Sequence, residues 1–363
     1  MIRVFHIVAR LDVGGSERVA INIASSEAEH TEYHIAEVLR GNSAYTEQVL
    51  SELRDKGISV HRAPLPVLFH WHYLCEKLLA FLFPLRFLLL WLRYRPDVVH
   101  CHTEMPDMAV WLAMRLFPFI KCRVVRTIHN TRLWTGMTGT GSKVERFMQR
   151  RHANIAISPN VARAYNDVYG ELPPVIYNGV APATQETYNE VKTGKTNICF
   201  AGRLEEQKGI STLCEIIKAV ANDERYYFHV FGSGTLQPLV DDLRQLPNVS
   251  VNPPLPNLSR YLSSFDYVIM PSVHEGLSIL AIEASMNGVP LMINHCDGLT
   301  DTLPAGWPLA VNGNDMAAWL RLFREKLPII DRERLACEAM EYATSKFSLN
   351  RMQREYEAVY NTK

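Results

Sequence analysis

The chain has 363 residues, 47% of them hydrophobic, which is enough for two domains of ordinary size with substantial cores. Its 38 lysines and arginines balance 38 aspartates and glutamates, so the overall charge gives no reason to expect a nucleic-acid partner. The seven cysteines form no Cys-x-x-Cys pair, which indicates neither a zinc site nor a disulfide framework. Because the N-terminus has no signal-peptide pattern, we expect a cytoplasmic protein with reduced thiols.

The first segment has the pattern of a strand, a glycine-rich turn and a helix. Residues 1–9 are apolar, Gly14 and Gly15 follow, and helical periodicity begins near Arg18. Two glycines let the backbone approach a ligand closely, and a helix N-terminus favours a phosphate. A Gly-Gly pair is nevertheless more often only a tight turn, and no Gly-x-Gly-x-x-Gly dinucleotide fingerprint is present.

Strand and helix patterns continue to alternate up to residue 157, which predicts a parallel sheet with helices on both faces. Two of the predicted strands end in histidines, at His102 and at His129-Asn130. A lone histidine is usually structural, but strand ends of a parallel sheet line the ligand cleft. Neither histidine pair has the companion ligands of a metal site. Glycines and threonines in residues 135–141 indicate a mobile loop or a surface turn.

Residues 74–92 form a strongly apolar stretch that is interrupted by three charges and by Pro84, which is expected to kink or break a helix. The longest uncharged run, residues 78–85, is far shorter than a bilayer span of ~20 residues. Two interpretations stay open. The segment is a helix buried against the sheet, or it lies at a membrane interface with Trp71, Trp91 and nearby arginines.

The second half begins after a polar stretch without periodicity, residues 181–196, which is typical of a linker. A strand is predicted next, then a loop containing Arg203 and Lys208, and then a helix from Ile210. Two cations and backbone N–H groups at a helix N-terminus suit a diphosphate, although exposed loop cations are commonly only solvated. A further strand leads into a glycine loop at Gly232.

The most informative stretch follows a third strand of this half, predicted at residues 265–270. A tight turn at Gly276 follows this strand, and Ser278 is placed to cap the next helix. Glu275 is therefore expected in the loop, and Glu283 about one turn into the helix. Such loops lie at the carboxyl ends of parallel strands, where ligands bind. The alternative is an ordinary loop with one solvated and one capping glutamate.

This stretch resembles the Glu-x7-Glu signature of glycosyltransferase family 4, whose form is roughly Pro-Ser-x-x-Glu-Gly-Leu/Phe-Ser/Gly-x4-Glu-Ala. The matching residues are Pro271, Ser272, Glu275, Gly276, Leu277, Ser278, Glu283 and Ala284. Residues 202–209 are similar to the family's Gly-Arg-Leu-x3-Lys-Gly element, and residues 14–17 to its first loop, Gly-Gly-x-Glu. The resemblance covers most of the chain and is more specific in the second half.

The resemblance implies the α/β GT-B fold, with two Rossmann-like domains whose parallel sheets face each other across a cleft. Residues 1–180, together with a C-terminal helix at 347–363, would form the acceptor-side domain. Residues 181–196 would be the linker, and residues 197–346 would bind the nucleotide-sugar donor.

The resemblance also implies roles for individual residues. Arg203 and Lys208 would contact the donor phosphates, Glu283 the ribose and Glu275 the sugar hydroxyls, with His129 at the reacting centre. Further candidates for the donor site are Gly14, Gly15, Gly232, Gly276, Leu277 and Ser278. Weaker candidates for the acceptor side are His102, Asn130 and Glu17.

The activity implied is a retaining, metal-independent transfer of a sugar from a nucleotide sugar, by family prior a UDP-sugar, without a further cofactor. The acceptor would be a glycan or a lipid-linked glycan, in surface polysaccharide or lipopolysaccharide biosynthesis. The protein would be cytoplasmic, or peripheral on the inner face of the cytoplasmic membrane. A GT-B nucleotide-sugar epimerase, a phosphorylase-like enzyme and a catalytically inactive membrane-associated scaffold remain alternatives.

Overall fold

The structure, a computed structural model, describes residues 1–12, 14–64, 72–135 and 137–362, without the side chains of Ala44 and of residues 72–81. The chain divides into two compact units. Unit 1 comprises Met1–Gly179 and Leu349–Lys363, and unit 2 comprises Val180–Ser348. None of the helices in the described ranges has the length and apolarity needed to cross a membrane.

Unit 1 is an α/β layer structure around six parallel strands. The strands are β1 (Ile2–Val8), β2 (Thr31–Glu37), β3 (Ser59–His61), β4 (Val98–His102), β5 (Arg123–Ile128) and β6 (Asn154–Ala156). The helices are α1 (Gly15–Ala24), α2 (Ala44–Asp55), α3 (His72–Tyr94), α4 (Glu104–Leu116), α5 (Thr138–Gln149), α6 (Pro159–Tyr169) and, from the end of the chain, α12 (Leu349–Asn361). The strand order is β3-β2-β1-β4-β5-β6.

Unit 2 contains the other six strands, also all parallel. They are β7 (Thr196–Arg203), β8 (Tyr226–Ser233), β9 (Val249–Asn252), β10 (Tyr267–Met270), β11 (Leu291–His295) and β12 (Ala310–Asn312). Its helices are α7 (Ile210–Ala219), α8 (Gln237–Asp241), α9 (Ile279–Met286), α10 (Met316–Arg321) and α11 (Arg332–Phe347). The order β12-β11-β10-β7-β8-β9 repeats, in its own numbering, the order of unit 1.

Both sheets therefore have the doubly wound Rossmann order, in which the direction of winding reverses at one pair of neighbouring strands. The reversal lies between β1 and β4 in unit 1 and between β7 and β10 in unit 2. All residues of β4 and β10 are buried, as expected for central parallel strands covered by helices on both faces. The prediction of two Rossmann-like parallel sheets is confirmed.

Helix α3 is not broken at Pro84, and its two faces fit different interpretations of residues 74–92. It continues through Pro84, because loss of one backbone N–H is tolerated where packing holds the neighbouring turns. Phe83, Phe87 and Trp91 lie in the core of unit 1, as the buried-helix interpretation requires. Leucines on the opposite side are exposed, and Trp71 lies outside the described residues.

Residues 135–141 also differ from the prediction of a loop or surface turn. Gly136 lies outside the described residues, but α5 already begins at Thr138. A Cβ on Gly141 would lie 2.3 Å from a ring carbon of Trp134, so the first turn of α5 is closely packed on that indole. Glycines at 139 and 141 hid this turn, because glycine lowers helix propensity.

The segment before β7 is packed against the rest of unit 2. The Gln185 side chain donates to the Ser259 carbonyl at 2.9 Å and to the Asn287 side chain at 2.7 Å. The Tyr188 ring contacts the rings of Phe231 and Phe265, each at a centroid distance of 5.5 Å. Its irregular backbone is thus held by side chains rather than by a helix or strand.

Candidate functional site

The motif residues of unit 2 meet where its sheet reverses direction. Ligands of open α/β sheets bind outside the carboxyl ends of the strands at this point. The loop after β7 (residues 204–209) and the loop after β10 (residues 271–278) both leave the sheet there. The strand order thus shows that these loops lie at the reversal point of the sheet, which the sequence pattern alone could not show.

The two loops touch at the level of the backbone. After β7 the chain makes a short 3-10 helix, Glu206–Lys208, and Gly209 adopts a left-handed φ of +68° before α7 begins. A Cβ on Gly209 would lie 1.9 Å from the carbonyl oxygen of Pro271. Only glycine fits this approach, which fixes the spacing of the loops.

A close ion pair joins the same loops. Lys208 Nζ lies 2.6 Å from Glu275 Oε1, and the two side chains are 20% and 8% exposed. A nearly buried carboxylate is stabilised by such a partner and would be costly to leave without one. The two residues are 67 positions apart, so their pairing depends on the crossover between β7 and β10 and is not visible in the sequence.

Gln207 completes the connection and was not identified from the sequence. Its carbonyl accepts from the Val273 backbone N–H at 2.8 Å, and its amide donates to the His274 carbonyl at 3.2 Å. Arg203 Nη2 donates to Gln207 Oε1 at 3.1 Å. Arg203 and Lys208 are therefore held on one joined platform at the carboxyl edge of the sheet.

The loop after β10 ends as predicted, with Ser278 capping α9. Its Oγ accepts from the Ala281 backbone N–H at 3.3 Å, and Glu283 lies on α9, partly exposed. The preceding residue, Leu277, is buried. Gly298, in the loop after β11, also supports this segment, because a Cβ there would lie 2.3 Å from the Glu275 carbonyl oxygen.

Gly232 lies in strand β8 rather than in a free loop. It is the register partner of Gly202, and a Cβ on Gly232 would lie 2.2 Å from the Gly202 carbonyl oxygen. Gly232 thus permits the close approach of β8 to β7 next to Arg203.

In unit 1 the loop after β1 leads to the N-terminus of α1. Gly14 precedes the helix in an extended conformation, and Gly15 is its first residue. A Cβ on Gly14 would lie 2.1 Å from a carboxylate oxygen of Glu17, to which the Ser16 hydroxyl donates at 2.8 Å. Burial raises the pKa of Glu17. A carboxylate thus lies against Gly14 at the end of α1 that the sequence predicted to favour a phosphate.

Histidines form a chain across β1, β4 and the end of β5. His6 Nδ1 lies 3.0 Å from His102 Nε2, and His102 Nδ1 lies 3.3 Å from His129 Nε2. His100 sits beside them, with its two nitrogens 2.7 Å from the hydroxyls of Tyr360 and of Thr127. Alternation along the strands places these side chains on one face. His6 was not identified from the sequence, because β1 was predicted only as an apolar strand.

These imidazoles are neutral at physiological pH. Desolvation by burial lowers the pKa of both His6 and His129 to about 3, and it lowers the pKa of His100 and His102 well below the usual value. One ring nitrogen from each of His6, His100 and His102 lies within 4.8 Å of the others, which is the ligand number of many metal sites. Hydrogen bonds already account for this cluster, since both nitrogens of His100 are paired.

Asn130, next to His129, borders a cavity of about 320 Å³ in unit 1. Residues 131–135, the start of α5 and helix α6 form its walls, with Trp134, Tyr165 and Tyr169 among the lining side chains. Aromatic walls beside polar groups are typical of small-molecule sites.

Two Rossmann-like sheets in one chain, each with polar loops at its reversal point, are the architecture of the GT-B fold. A family model for Glycosyltransferase Family 4 matches residues 13–184, and one for Glycosyl transferases group 1 matches residues 195–324. Together they cover most of the chain, which belongs to this glycosyltransferase family.

Relatives agree with this assignment. An uncharacterized 41.2 kDa protein in the cps region of Klebsiella pneumoniae is 26% identical over 73% of this chain and 79% of its own length. A glycosyltransferase of Methanocaldococcus jannaschii is 25% identical over 57% of this chain and 60% of its own, so this match spans less than two thirds of that protein. The glycogen synthase of Mycobacterium tuberculosis is 26% identical over 59% of this chain and 55% of its own.

Solved structures give the same fold. HepE of Anabaena superimposes with a TM-score of 0.78 at 14% identity, over 100% of both chains. A glycosyltransferase of Rickettsia africae superimposes with a TM-score of 0.75 at 17% identity, over 99% of this chain and 97% of its own.

Proposed function

We propose that the protein transfers a sugar from a UDP-sugar to a glycan or lipid-linked glycan with retention of anomeric configuration. The observation that carries the proposal is the platform of Arg203, Lys208 and Glu275 at the reversal point of the unit 2 sheet. A diphosphate needs converging cations and backbone N–H groups, and this platform offers them beside the N-terminus of α7.

Each donor residue has a chemical task in this proposal. Arg203 and Lys208 neutralise the diphosphate as negative charge develops on the leaving group. Glu283 accepts hydrogen bonds from the ribose hydroxyls, and Glu275 from hydroxyls of the sugar. The ion pair with Glu275 presets the position of Lys208, so little ordering remains when the donor binds.

The bond changes need neither a metal nor a cofactor. The bond from the anomeric carbon to the diphosphate oxygen breaks, the acceptor oxygen bonds to the same face of that carbon, and the acceptor proton passes to the leaving diphosphate. This front-face course fits a chain whose motifs suggest no carboxylate nucleophile of the double-displacement type.

The base and the biological setting rest on similar proteins. HepE was solved with UDP and glucose and with UDP-glucose, and TarM of Staphylococcus aureus with UDP. The Klebsiella relative is encoded in a cps region, and the lipopolysaccharide outer core galactosyltransferase WaaB has a similar fold, with a TM-score of 0.65. A UDP-sugar and a role in surface polysaccharide or lipopolysaccharide assembly are accordingly proposed.

The acceptor side is assigned to unit 1. Its cavity beside Asn130 provides aromatic surface for a sugar ring, and His129 lies at the adjacent strand end. Glu17, at the N-terminus of α1, provides a carboxylate that can accept from acceptor or donor hydroxyls.

Turnover and stereochemistry test the proposal. We expect release of UDP from one UDP-sugar only when a glycan acceptor is added, and proton NMR should show the anomeric configuration of the donor in the product. An epimerase would yield an altered sugar without an acceptor, and a phosphorylase would need free phosphate. Inversion, or tight UDP binding without turnover on any acceptor, would contradict the proposal.

We also propose that unit 1 docks on an anionic membrane surface through α3 and its neighbours. Four leucines repeat along α3 at helical spacing and are 45%, 58%, 67% and 50% exposed: Leu82, Leu85, Leu89 and Leu92. Helix α4 packs on α3, and a groove of about 750 Å³ between α4 and α5 carries five cations: Arg115, Lys143, Arg146, Arg150 and Arg151. Apolar side chains flanked by arginines and lysines are typical of interfacial helices.

Vesicle flotation tests the membrane contact. We expect binding to vesicles with anionic lipids, and a loss of at least about tenfold in the double variant Leu85→Asp, Leu89→Asp. Ile329→Asp is the matched control, because Ile329 is 85% exposed and belongs to unit 2. Absence of binding by the unchanged protein, or equal loss in the control, would contradict the contact.

A further inference from the structure

The imidazoles of His6, His102 and His129 share too few protons for their tautomers to be independent of one another. Each neutral ring carries one N–H, and each of the two contacts, at 3.0 Å and 3.3 Å, needs one donor and one acceptor. His102 takes part in both contacts, so it donates in one and accepts in the other. Only two arrangements of protons satisfy the chain.

The two arrangements differ at the buried end. His6 Nε2 is buried and has no hydrogen-bond partner among the described residues. If His102 donated to His6, the only proton of His6 would sit on this unpaired Nε2, and a buried N–H without an acceptor is the rarer and more costly defect. If His6 donates from Nδ1, its Nε2 is only an acceptor without a donor, and the N–H groups of His6 and His102 both have acceptors.

The favoured arrangement sets the outer end of the chain. His6 Nδ1–H donates to His102 Nε2, His102 Nδ1–H donates to His129 Nε2, and the proton of His129 is therefore on Nδ1. That nitrogen makes no hydrogen bond within the described part of the chain, and His129 is more exposed than His6 or His102. The free N–H is thus available to a ligand.

We propose that His6 and His102 are positioning residues that hold His129 as a neutral Nδ1–H donor for the oxygen atoms of the bound sugar. The inference rests on the proposed function for its ligand but not for the proton arrangement itself. A neutral donor of this kind orients a hydroxyl without competing for the acceptor proton, which goes to the leaving diphosphate.

The groups around His6, His102 and His129 favour neutral imidazoles over protonated ones. His6 faces the rings of Tyr33, His100 and Tyr360, and none of these supplies a negative charge at neutral pH. Arg126, on β5, adds to the cost of charging His129 and lowers its pKa further. Nothing that faces His6, His102 or His129 in the described residues stabilises an imidazolium.

Nitrogen NMR of histidine-labelled protein tests the proton arrangement without any substrate. We expect His129 to show the Nδ1–H tautomer in the unchanged protein at neutral pH. His102→Phe removes the donor to His129 Nε2, so the proton of His129 is no longer fixed on Nδ1 and the Nε2–H tautomer should appear. His102→Asn should restore Nδ1–H, because the asparagine amide can donate from nearly the same place.

His229→Phe is the matched control, since His229 is a buried strand histidine in unit 2 with hydrogen bonds to Asn197 and Ser250. Its removal should leave the tautomer of His129 unchanged. An Nε2–H tautomer in the unchanged protein, or no change of the His129 tautomer in a folded His102→Phe variant, would overturn the inference. Stoichiometric binding of Zn²⁺ lost in His6→Asn would also overturn it, by showing a metal site instead.

Kinetics separate this inference from the proposed function. In His102→Phe we expect kcat for sugar transfer to fall about tenfold with UDP affinity unchanged, and His102→Asn should recover it. The expected tautomer without any transfer would leave the proton arrangement standing and contradict only the function. Normal transfer with the wrong tautomer would contradict only the inference. If His102→Phe fails to fold, the tautomer in the unchanged protein and in His102→Asn still decides.

Discussion

Gly209 and Gly288, with nearly equal φ, allow two costs of adding a side chain to be measured separately: backbone strain and steric overlap. Gly209 and Gly288 have φ of +68° and +69°, but a Cβ meets the Pro271 carbonyl only at Gly209 and nothing within 4 Å at Gly288. Left-handed backbone costs an L-residue ~1–2 kcal/mol. We expect Gly288→Ala to lose about that much unfolding free energy in urea, and Gly209→Ala to lose about 4 kcal/mol because two loops must separate. Equal losses would contradict the tight approach of the loops.

The ion pair of Lys208 with Glu275 predicts a contribution of Lys208 to stability. Lys208→Ala leaves Glu275, only 8% exposed, without its cation, and we expect a loss of about 2 kcal/mol in unfolding free energy. Lys218→Ala, an exposed residue of α7, is the control and should change stability by less than about 0.5 kcal/mol. Equal behaviour of the two variants in urea titrations would mean that the ion pair contributes nothing.

At the scale of residues, the sequence predicted the local role of individual residue types but not which distant residues contact each other. Turn and capping chemistry placed Glu275 in its loop and Ser278 at the start of α9, because these preferences are local. The pairing of Lys208 with Glu275 and the histidine chain through His6 and His102 join distant strands. Only strand order and register bring such residues together.

At the scale of elements, α12 belongs to unit 1 and completes one face of its sheet. Tyr356 and Tyr360 reach Thr127 and His100, both at 2.7 Å, and the Gln353 amide donates to the Asn22 carbonyl at 2.8 Å. Without the helix these buried polar groups and the core beneath them would face water.

Truncation after residue 348 should therefore unfold unit 1 selectively. We expect hydrogen exchange in β1, β4 and β5 to lose its protection, while the strands of unit 2 keep theirs. Removal of residues 361–363 alone is the control and should have little effect. Protected β4 amides in the longer truncation would show that unit 1 folds without α12.

Element prediction from the sequence worked where one local signal dominated. The amphipathic α12 and the buried runs of β7 and β10 follow the periodicity of apolar residues. It was wrong at residues 138–141, because packing on Trp134 outweighs the poor helix propensity of glycine, and α3 is not broken at Pro84 because its neighbouring turns are packed in the core.

For the whole molecule, the histidines predict an unequal response of the two units to acid. Burial lowers the pKa of six histidines in unit 1: His6, His34, His61, His100, His102 and His129. In unit 2 it lowers the pKa of His229, to about 4. Unfolded histidines bind protons near pH 6.5, so stability present above pH 6.5 is lost as the pH falls towards 4.

Hydrogen exchange at pH 7.5 and 5.0 measures this difference. We expect unit 1 to lose protection at the lower pH well before unit 2. Asp107 and Glu17 have the opposite sign, because burial raises the pKa of both carboxyls and their contribution to stability falls as the pH rises, but two carboxyls do not offset six imidazoles. Equal loss of protection in both units would contradict the account.

Fold and family were predictable because two long patterns agree, namely the alternation of strands with helices and the spaced motifs of the second half. The identity of the sugar and the acceptor was not, since it depends on side chains gathered from many loops. The reversal points of both sheets explain why the motifs fall after β7 and β10 and not elsewhere.

Calorimetric titration of the protein with UDP, GDP, ADP and TDP tests the central claim most directly. We expect UDP to bind more tightly than the others, and its affinity to fall at least about tenfold in Arg203→Ala and in Glu283→Ala but not in Lys218→Ala. Failure of all four nucleotides to bind, or binding that these two substitutions leave unchanged, would contradict a nucleotide-sugar site at the reversal point of the unit 2 sheet.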